Sequence, residues 1–357
     1  MRTEVLAPTE ESIARAAAAL RGGAIVGLPT ETVYGLAASA FDPAALASVF
    51  AAKARPTFDP LIVHVVLEPG PATAQLEALG LVDGARLTPA ARAAADALAA
   101  ALWPGPLTLV LPRAPRVPDL VTAGLDGVGL RAPSHPVARA LIARAGPLAA
   151  PSANRFGRIS PTTAAAVVAE LDGLVPLVLD GGPCDVGVES TVVRVEADGR
   201  LLLLRPGGVS AERLAALSGR AVLRGATPRH PAVEGGSGLV SPGTLESHYA
   251  PRQPLLLLDA PLSALTVLPR AASVALLARD EDPGPAAALL AAATGAAPVL
   301  ALGLGSDPGV AARRLFAALR ELEASGAELL VAEPPAGEDG LWHAIGDRLR
   351  RASAPRR

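Results

Sequence analysis

The chain has 357 residues, half of them apolar, with 32 basic against 34 acidic side chains and a net charge of −2. That length exceeds one small core and implies two domains, while the near-neutral balance excludes a protein whose main role is to coat nucleic acid, though not a local arginine-lined groove. The single cysteine, Cys184, excludes an internal disulfide and a cysteine-built zinc site.

The first twenty residues carry Glu4, Glu10 and Glu11 and no apolar core of a signal peptide. Nor does any uninterrupted apolar run approach the roughly 20 residues that span a bilayer. A cytoplasmic protein is expected, with no membrane partner. Thr9 followed by two glutamates predicts a helix to about Leu20. A short strand follows at 24–28, and Asp42-Pro43 opens a helix to about Ala54. "LIVHVV" (61–66) reads as a strand, and Thr88-Pro89 opens the next helix. Strands are expected at 107–111 and 127–131, a helix capped by Ser134, and a loop entered from 147–150. Ser160-Pro161 is expected to start a helix running to Leu171, and 190–196 and 201–205 close the region as strands. This order predicts an α/β domain over residues 1–220 with a mixed sheet.

Residues 221–253 are rich in Gly, Pro and Ser and read as a linker, yet they hold His248 and Tyr249, so part of the segment is expected to fold over something. Buried-type strands at 255–258, 273–278, 297–303 and 327–333 alternate with helical segments such as 306–326. They predict a smaller Rossmann-like three-layer domain over 254–357. It shows no glycine fingerprint for a dinucleotide or a Walker loop.

The composition favours arginine so strongly that Lys53 is the only lysine, and Asn154 is the only asparagine. Tyr34 and Tyr249 are the two tyrosines. All four fall in dense, unusual stretches. Lys53 and Arg55 at a helix end form a natural clamp for phosphate oxygens, or simply complement the helix dipole. His64 in mid-strand reads more readily as a satisfied core histidine than as a ligand. "APSANRFGRISPTT" places Ser152 and Asn154 between a strand and a helix start, where anions bind, although capping alone would also account for them. Glu189, Ser190 and Thr191 stand at a strand entrance, and Arg205 ends a strand. There is no nucleophile elbow, no HExxH and no carboxylate cluster for a catalytic metal. Lys, Arg, hydroxyls and one Asn remain, which suits a nucleoside triphosphate and a small zwitterion, with catalysis by positioning and charge stabilisation.

The motifs "PTETVYGL", "KARPTFDPLIVHV", "WPGPLTLVL", "VGLRAPSHP", "APSAN…SPT", "GVESTVV" and "LRPG" resemble, in order and spacing, the YrdC-type domain of L-threonylcarbamoyladenylate synthases. "SPGTLESHYAP" and the ending "GLWHAIGDRLRRA" resemble the longer, two-domain form. The resemblance implies a YrdC-like twisted mixed sheet with a concave groove. It implies that L-threonine, bicarbonate and ATP give threonylcarbamoyl-AMP and pyrophosphate, and that a tRNA-modifying threonylcarbamoyl transferase receives the product. Carried over, Thr32, His64, Arg131, Ser152 and Ser190 would contact threonine, with Arg131 on its carboxylate. Lys53, Arg55, Asp59, Asn154, Ser160, Thr162 and Arg205 would lie at ATP, with Lys53 and Arg55 as the catalytic cations. Mg2+ is expected with ATP, held largely by phosphates and waters rather than by a protein metal site. The 221–253 segment would act as a lid, His248 facing the nucleotide and Tyr249 packing the loop against the first domain.

Two positions depart from the pattern. Asp59 stands where the family usually has asparagine, a carboxylate disfavoured near phosphates unless Mg2+ or Arg55 compensates. Gly127 replaces a hydroxyl residue. A hydrogenase-maturation carbamoyl-transfer module is a weak rival, because it would bring an acylphosphatase domain and cysteine-rich zinc motifs that this chain lacks. The alternative from another class is an RNA-binding or ribosome-assembly protein using the same groove; direct RNA binding is left open by the sequence.

Overall fold

A computed structural model describes residues 2–224, 242–243, 245–264, 271–295 and 297–355. Contacts divide the chain into two units. The first comprises 1–156, 161–185 and 189–244; the second comprises 157–160, 186–188 and 245–357. The division falls inside the expected linker, and Leu245–Gln253 group with the second unit rather than standing between two domains.

Eleven strands build the first unit: β1 (Glu4–Leu6), β2 (Val26–Leu28), β3 (Gly35–Ser39), β4 (Ile62–His64), β5 (Leu107–Pro112), β6 (Gly127–Arg131), β7 (Leu148–Ala149), β8 (Leu177–Leu179), β9 (Thr191–Val195), β10 (Leu201–Arg205) and β11 (Val222–Arg224). They form one mixed sheet in the order β1-β8-β2-β3-β7-β4-β6-β5-β9-β10-β11. The expected mixed α/β sheet is therefore present. Strands β1, β3, β8 and β11 were not foreseen, being short or formed from runs with weak periodicity, and β11 lies where the linker was expected to begin.

Helix starts follow local chemistry. The Thr9 hydroxyl accepts from Ser12 N–H at 3.1 Å and opens helix Glu10–Arg21, whose Ile13, Ala16, Ala17 and Leu20 recur at helical spacing and are buried. Asp42 Oδ1 accepts from Ala44 and Ala45 N–H and starts helix Pro43–Lys53, with proline at its first position. That helix ends at Ala54, whose φ of 50° is left-handed. Two expected starts are corrected. His135, not Ser134, caps helix Pro136–Ala145, its Nδ1 accepting from Val137 N–H at 3.2 Å. Thr163, not Ser160, caps helix Ala164–Leu171. In both cases the residue nearer the first free amide wins the cap.

Alternation along the central strands separates two faces. Val63, Leu109, Leu130, Val193 and Leu203 point into the main core beneath helices Pro43–Lys53 and Pro89–Leu102. Ile62, Val110, Val192 and Leu204 cluster on the other face. Period two puts His64, Thr108, Gly127, Gly129 and Arg131 on that same second face. A small cleft opens there, bordered by Ile62, Thr108, Gly127 and Gly129.

The second unit holds four parallel strands, β12 (Leu255–Leu257), β13 (Val274–Ala278), β14 (Leu300–Gly303) and β15 (Leu329–Ala332), in the order β12-β15-β13-β14. Helices Gly284–Thr294, Pro308–Ala324 and Leu341–Ser353 accompany them, as expected for a Rossmann-like sheet. Among the described residues, no helix is long and apolar enough to cross a membrane.

Two of the expected lid residues lie among those described. Residues 225–241 and Thr244 lie outside those described. Tyr249 packs within the second unit: its ring lies 5.6 Å from that of Phe316, and the Arg348 guanidinium stands 5.3 Å over it. His248 N–H donates to the Arg351 carbonyl at 3.1 Å, and the Arg351 guanidinium donates to the Leu245 carbonyl. Asp347 in turn holds Arg351 at 3.0 Å. The last turn of the C-terminal helix thus anchors Leu245–Tyr249, a role that a buried aromatic and main-chain bonds perform well.

Candidate functional site

Three clusters of the expected residues form in the first unit. The first is built on Arg131, at the end of β6. Its register partner on β4 is His64, so the two side chains lie side by side. Arg131 Nη1 donates to the Thr32 hydroxyl at 2.8 Å, and Nη2 makes an ion pair with Glu31 Oε1 at 2.7 Å. Thr30 supports Thr32 through a 3.0 Å hydroxyl contact. Burial pushes the Glu31 carboxyl up, but the neighbouring Arg131 guanidinium outweighs it and holds the group below its ordinary range. His64 is fully buried beside the same cation. Desolvation first, and Arg131 second, bring its pKa down to about 3, so the ring is neutral at pH 7. One ring nitrogen faces the Ile62 carbonyl at 3.2 Å.

The second cluster is organised by Lys53. The side chain is 1% exposed, and its ammonium donates to the carbonyls of both Ser152 and Asn154. Phe156 N–H donates back to the Lys53 carbonyl at 2.8 Å. The sole lysine therefore shapes the Ser152–Asn154 loop, which a pleated contact between Gly35 and Ser152 holds from the other side. A compact ammonium fits between two carbonyls where a broad guanidinium fork would not. Burial lowers the Lys53 pKa well below its ordinary value, with Arg55 adding to the effect. Arg55 sits two residues on, beyond the left-handed turn at Ala54. Its Nη2 pairs with Asp59 at 2.9 Å and donates to the Pro60 carbonyl at 2.8 Å. Arg55 thus pairs with the carboxylate at position 59, while burial keeps that carboxyl above its ordinary range.

Arg205, at the end of β10, organises the third. Its Nη2 donates to the Ser190 hydroxyl at 3.1 Å and to the Ser190 carbonyl at 3.0 Å, and Nη1 donates to the Pro242 carbonyl at 2.9 Å. Ser190 also meets the Thr108 hydroxyl at 2.8 Å. The chain turns back at Gly207 so closely that a β-carbon there would lie 2.3 Å from the Glu189 carbonyl oxygen and 2.4 Å from Thr191 N. Only glycine allows that approach, which explains the "LRPGG" run.

Two further expected residues, Ser160 and Thr162, are both buried. Ser160 groups with the second unit. Thr162 is buried, and its carbonyl accepts from Cys184 N–H at 3.0 Å. Sequence reasoning missed Glu31 and Thr108. Glu31 was legible as the one charged residue of "PTETVYGL", but nothing in the string placed it against Arg131. Thr108 shares the cleft with Gly127 and supplies a hydroxyl on that face. Four buried cations, Lys53, Arg55, Arg131 and Arg205, are thus accompanied by four buried carboxylates, Glu31, Asp59, Glu170 and Glu189, with Glu170 acting on Lys53, so it is the placement of the cations rather than an excess of charge that suits a polyanion. The hydroxyls and neutral imidazole suit a small polar zwitterion.

Fold and site together define a two-unit α/β protein with an arginine- and lysine-organised polar site on a mixed sheet. Residues 18–207 match the Sua5/YciO/YrdC family model, described as "Telomere recombination", and residues 209–354 match "Threonylcarbamoyl-AMP synthase, C-terminal domain". The chain is 37% identical over 350 residues to the threonylcarbamoyl-AMP synthase of Pyrococcus abyssi, covering 97% of this chain and 95% of that one. It is 42% identical over 260 residues to the Bacillus subtilis threonylcarbamoyl-AMP synthase, covering 72% and 69%. The structure of P. abyssi Sua5 complexed with L-threonine matches with a TM-score of 0.79 at 34% identity, covering 99% of this chain and 98% of that one. The chain belongs to the threonylcarbamoyl-AMP synthase family.

Proposed function

We propose that the chain makes L-threonylcarbamoyl-AMP from L-threonine, bicarbonate and ATP, releasing pyrophosphate, and that a tRNA-modifying transferase consumes the product. The observation that carries this reading is the match to a threonylcarbamoyl-AMP synthase over 97% of the chain, and the three site clusters fit it. The threonine amine attacks the bicarbonate carbon and water leaves, giving a carbamate. A carbamate oxygen then attacks the α-phosphorus, and the bond to pyrophosphate breaks. Thr32, neutral His64 and Arg131 receive threonine, Arg131 facing its carboxylate. Ser152, at the start of the loop set by Lys53, and Ser190, held by Arg205, turn to threonine as well, while Asn154, Arg55 and Arg205 line the nucleotide side. Catalysis is then positioning and charge stabilisation, in which one preorganised donor contributes about 10²–10³ in rate.

Among the described residues, no group of three His, Cys, Asp or Glu forms a metal seat, and Asp59 is engaged by Arg55. Magnesium would therefore travel with ATP on its phosphates and waters. A cytoplasmic setting, where ATP and threonine are at hand, suits this reaction. The deciding measurement is pyrophosphate release by the full-length protein with each reactant omitted in turn. Release that requires threonine, bicarbonate and ATP together is the expected result. RNA binding without turnover would overturn the reading in favour of an RNA-binding role.

A further inference from the structure

The nucleotide side of the site contains a carboxylate for which the proposed reaction has no use. Asp59 is fully buried. Arg55 Nη2 lies 2.9 Å from its Oδ1; burial pushes the carboxyl above its ordinary range, and Arg55 first, then Lys53 and Arg205, pull back towards the charged form. Among the described residues, neither of its oxygens accepts a hydrogen bond. A carboxylate placed to brace a loop is bonded to loop amides, as Asp172, Asp180 and Asp198 are in this chain. Asp59 is not. Its own segment is held instead by Arg55, whose Nε donates to the Asp59 carbonyl at 3.2 Å and whose Nη2 donates to the Pro60 carbonyl. The Asp59 side chain therefore answers to the surrounding cations alone, and a buried charge without hydrogen bonds persists only where opposite charge surrounds it.

We propose that Asp59 is a built-in anion of the polyphosphate subsite, which sits in the field of Lys53, Arg55 and Arg205 when that subsite is empty and opposes a polyphosphate once it binds. The inference rests on the ATP-dependent reaction proposed above. With no anion present, three buried cations repel one another, and Asp59 offsets part of that repulsion, with Glu170 acting on Lys53 as well. When a triphosphate arrives, the same cations turn to phosphate oxygens, and Asp59 becomes a like charge beside them. Binding of ATP is then weaker than the cations alone would give. Pyrophosphate, which remains in the subsite after the α-phosphorus bond breaks, leaves more readily.

The test is calorimetric binding of ATP and of inorganic pyrophosphate to the full-length wild type and Asp59→Asn. The variant is expected to bind both about tenfold more tightly, as loss of one like charge at close range implies. Threonine affinity should stay unchanged, and pyrophosphate should inhibit turnover at a correspondingly lower concentration. Equal or weaker polyphosphate binding by the variant, with a wild type that binds ATP, overturns this inference and leaves the proposed reaction standing. A wild type that takes up neither ATP nor pyrophosphate overturns both. Should the variant not fold, crystals of the wild type with pyrophosphate decide. Arg55 turned from Asp59 to the phosphate supports the proposal, and an unbroken 2.9 Å pair beside a bound pyrophosphate refutes it.

Discussion

Arg131 and Glu31 form an ion pair at 2.7 Å whose side chains are only 4% and 5% exposed. Removing one member of such a pair strands the other charge in the interior, at a cost of about 3–5 kcal/mol. Glu31→Gln is therefore expected to lower unfolding stability by roughly that amount in urea titration. Replacing both residues, Glu31→Gln with Arg131→Met, should recover much of the loss, because no uncompensated charge is left. A double variant that loses the sum of the two single effects would show that the pair is not coupled.

Lys53→Ala removes both donors to the Ser152 and Asn154 carbonyls, and the loop that carries them loses its clamp. Turnover measured by pyrophosphate release should fall about tenfold to a thousandfold. Lys53→Arg should restore only part of it, since the larger head must enter a site that is 1% exposed. Wild-type rates in Lys53→Ala would remove Lys53 from the site.

His64 governs an acid-sensitive window. Its pKa in the folded chain is about 3 against 6.5 for the free side chain. Between those values the unfolded chain binds the proton and the folded chain does not, so stability falls as pH drops below 6.5, by up to about 1.4 kcal/mol per unit. Glu31 behaves differently. Its depressed pKa contributes stability that is fully present above 4.5 and is lost only as pH falls through the folded value. The wild type should thus lose stability between pH 6.5 and 5.5 and His64→Gln should not, as followed by thermal melts. Parallel curves for the two proteins would contradict the buried, neutral imidazole.

Substrate choice follows from the hydroxyls. A pocket built to hydrogen-bond a hydroxyl rejects an analogue lacking it far more strongly than an apolar pocket rejects one methylene. With Thr32 and Ser190 in the site, valine should be a very poor substrate and serine a modest one, judged by kcat/KM for pyrophosphate release. Equal use of valine and threonine would show that these side chains do not face the amino acid.

Local chemistry made much of this legible in the chain itself. Thr9, Asp42-Pro43 and Thr88-Pro89 each start a helix where the string indicates, because a cap is a contact between residues two or three apart. The parallel pattern after Leu255 is equally plain, since buried strands are near-continuous apolar runs. The scarcity of lysine and asparagine singled out Lys53 and Asn154, and the structure brings them together through one hydrogen bond. Tertiary structure alone decided what these residues touch. Glu31 meets Arg131 across 100 positions, and Lys53 reaches the Asn154 carbonyl across 101, distances over which no periodicity carries information. The helix start at Thr163 rather than Ser160 and the seat of Tyr249 against Phe316 were settled in the same way. Several local options were nearly equal in energy, and burial against a distant element chose among them.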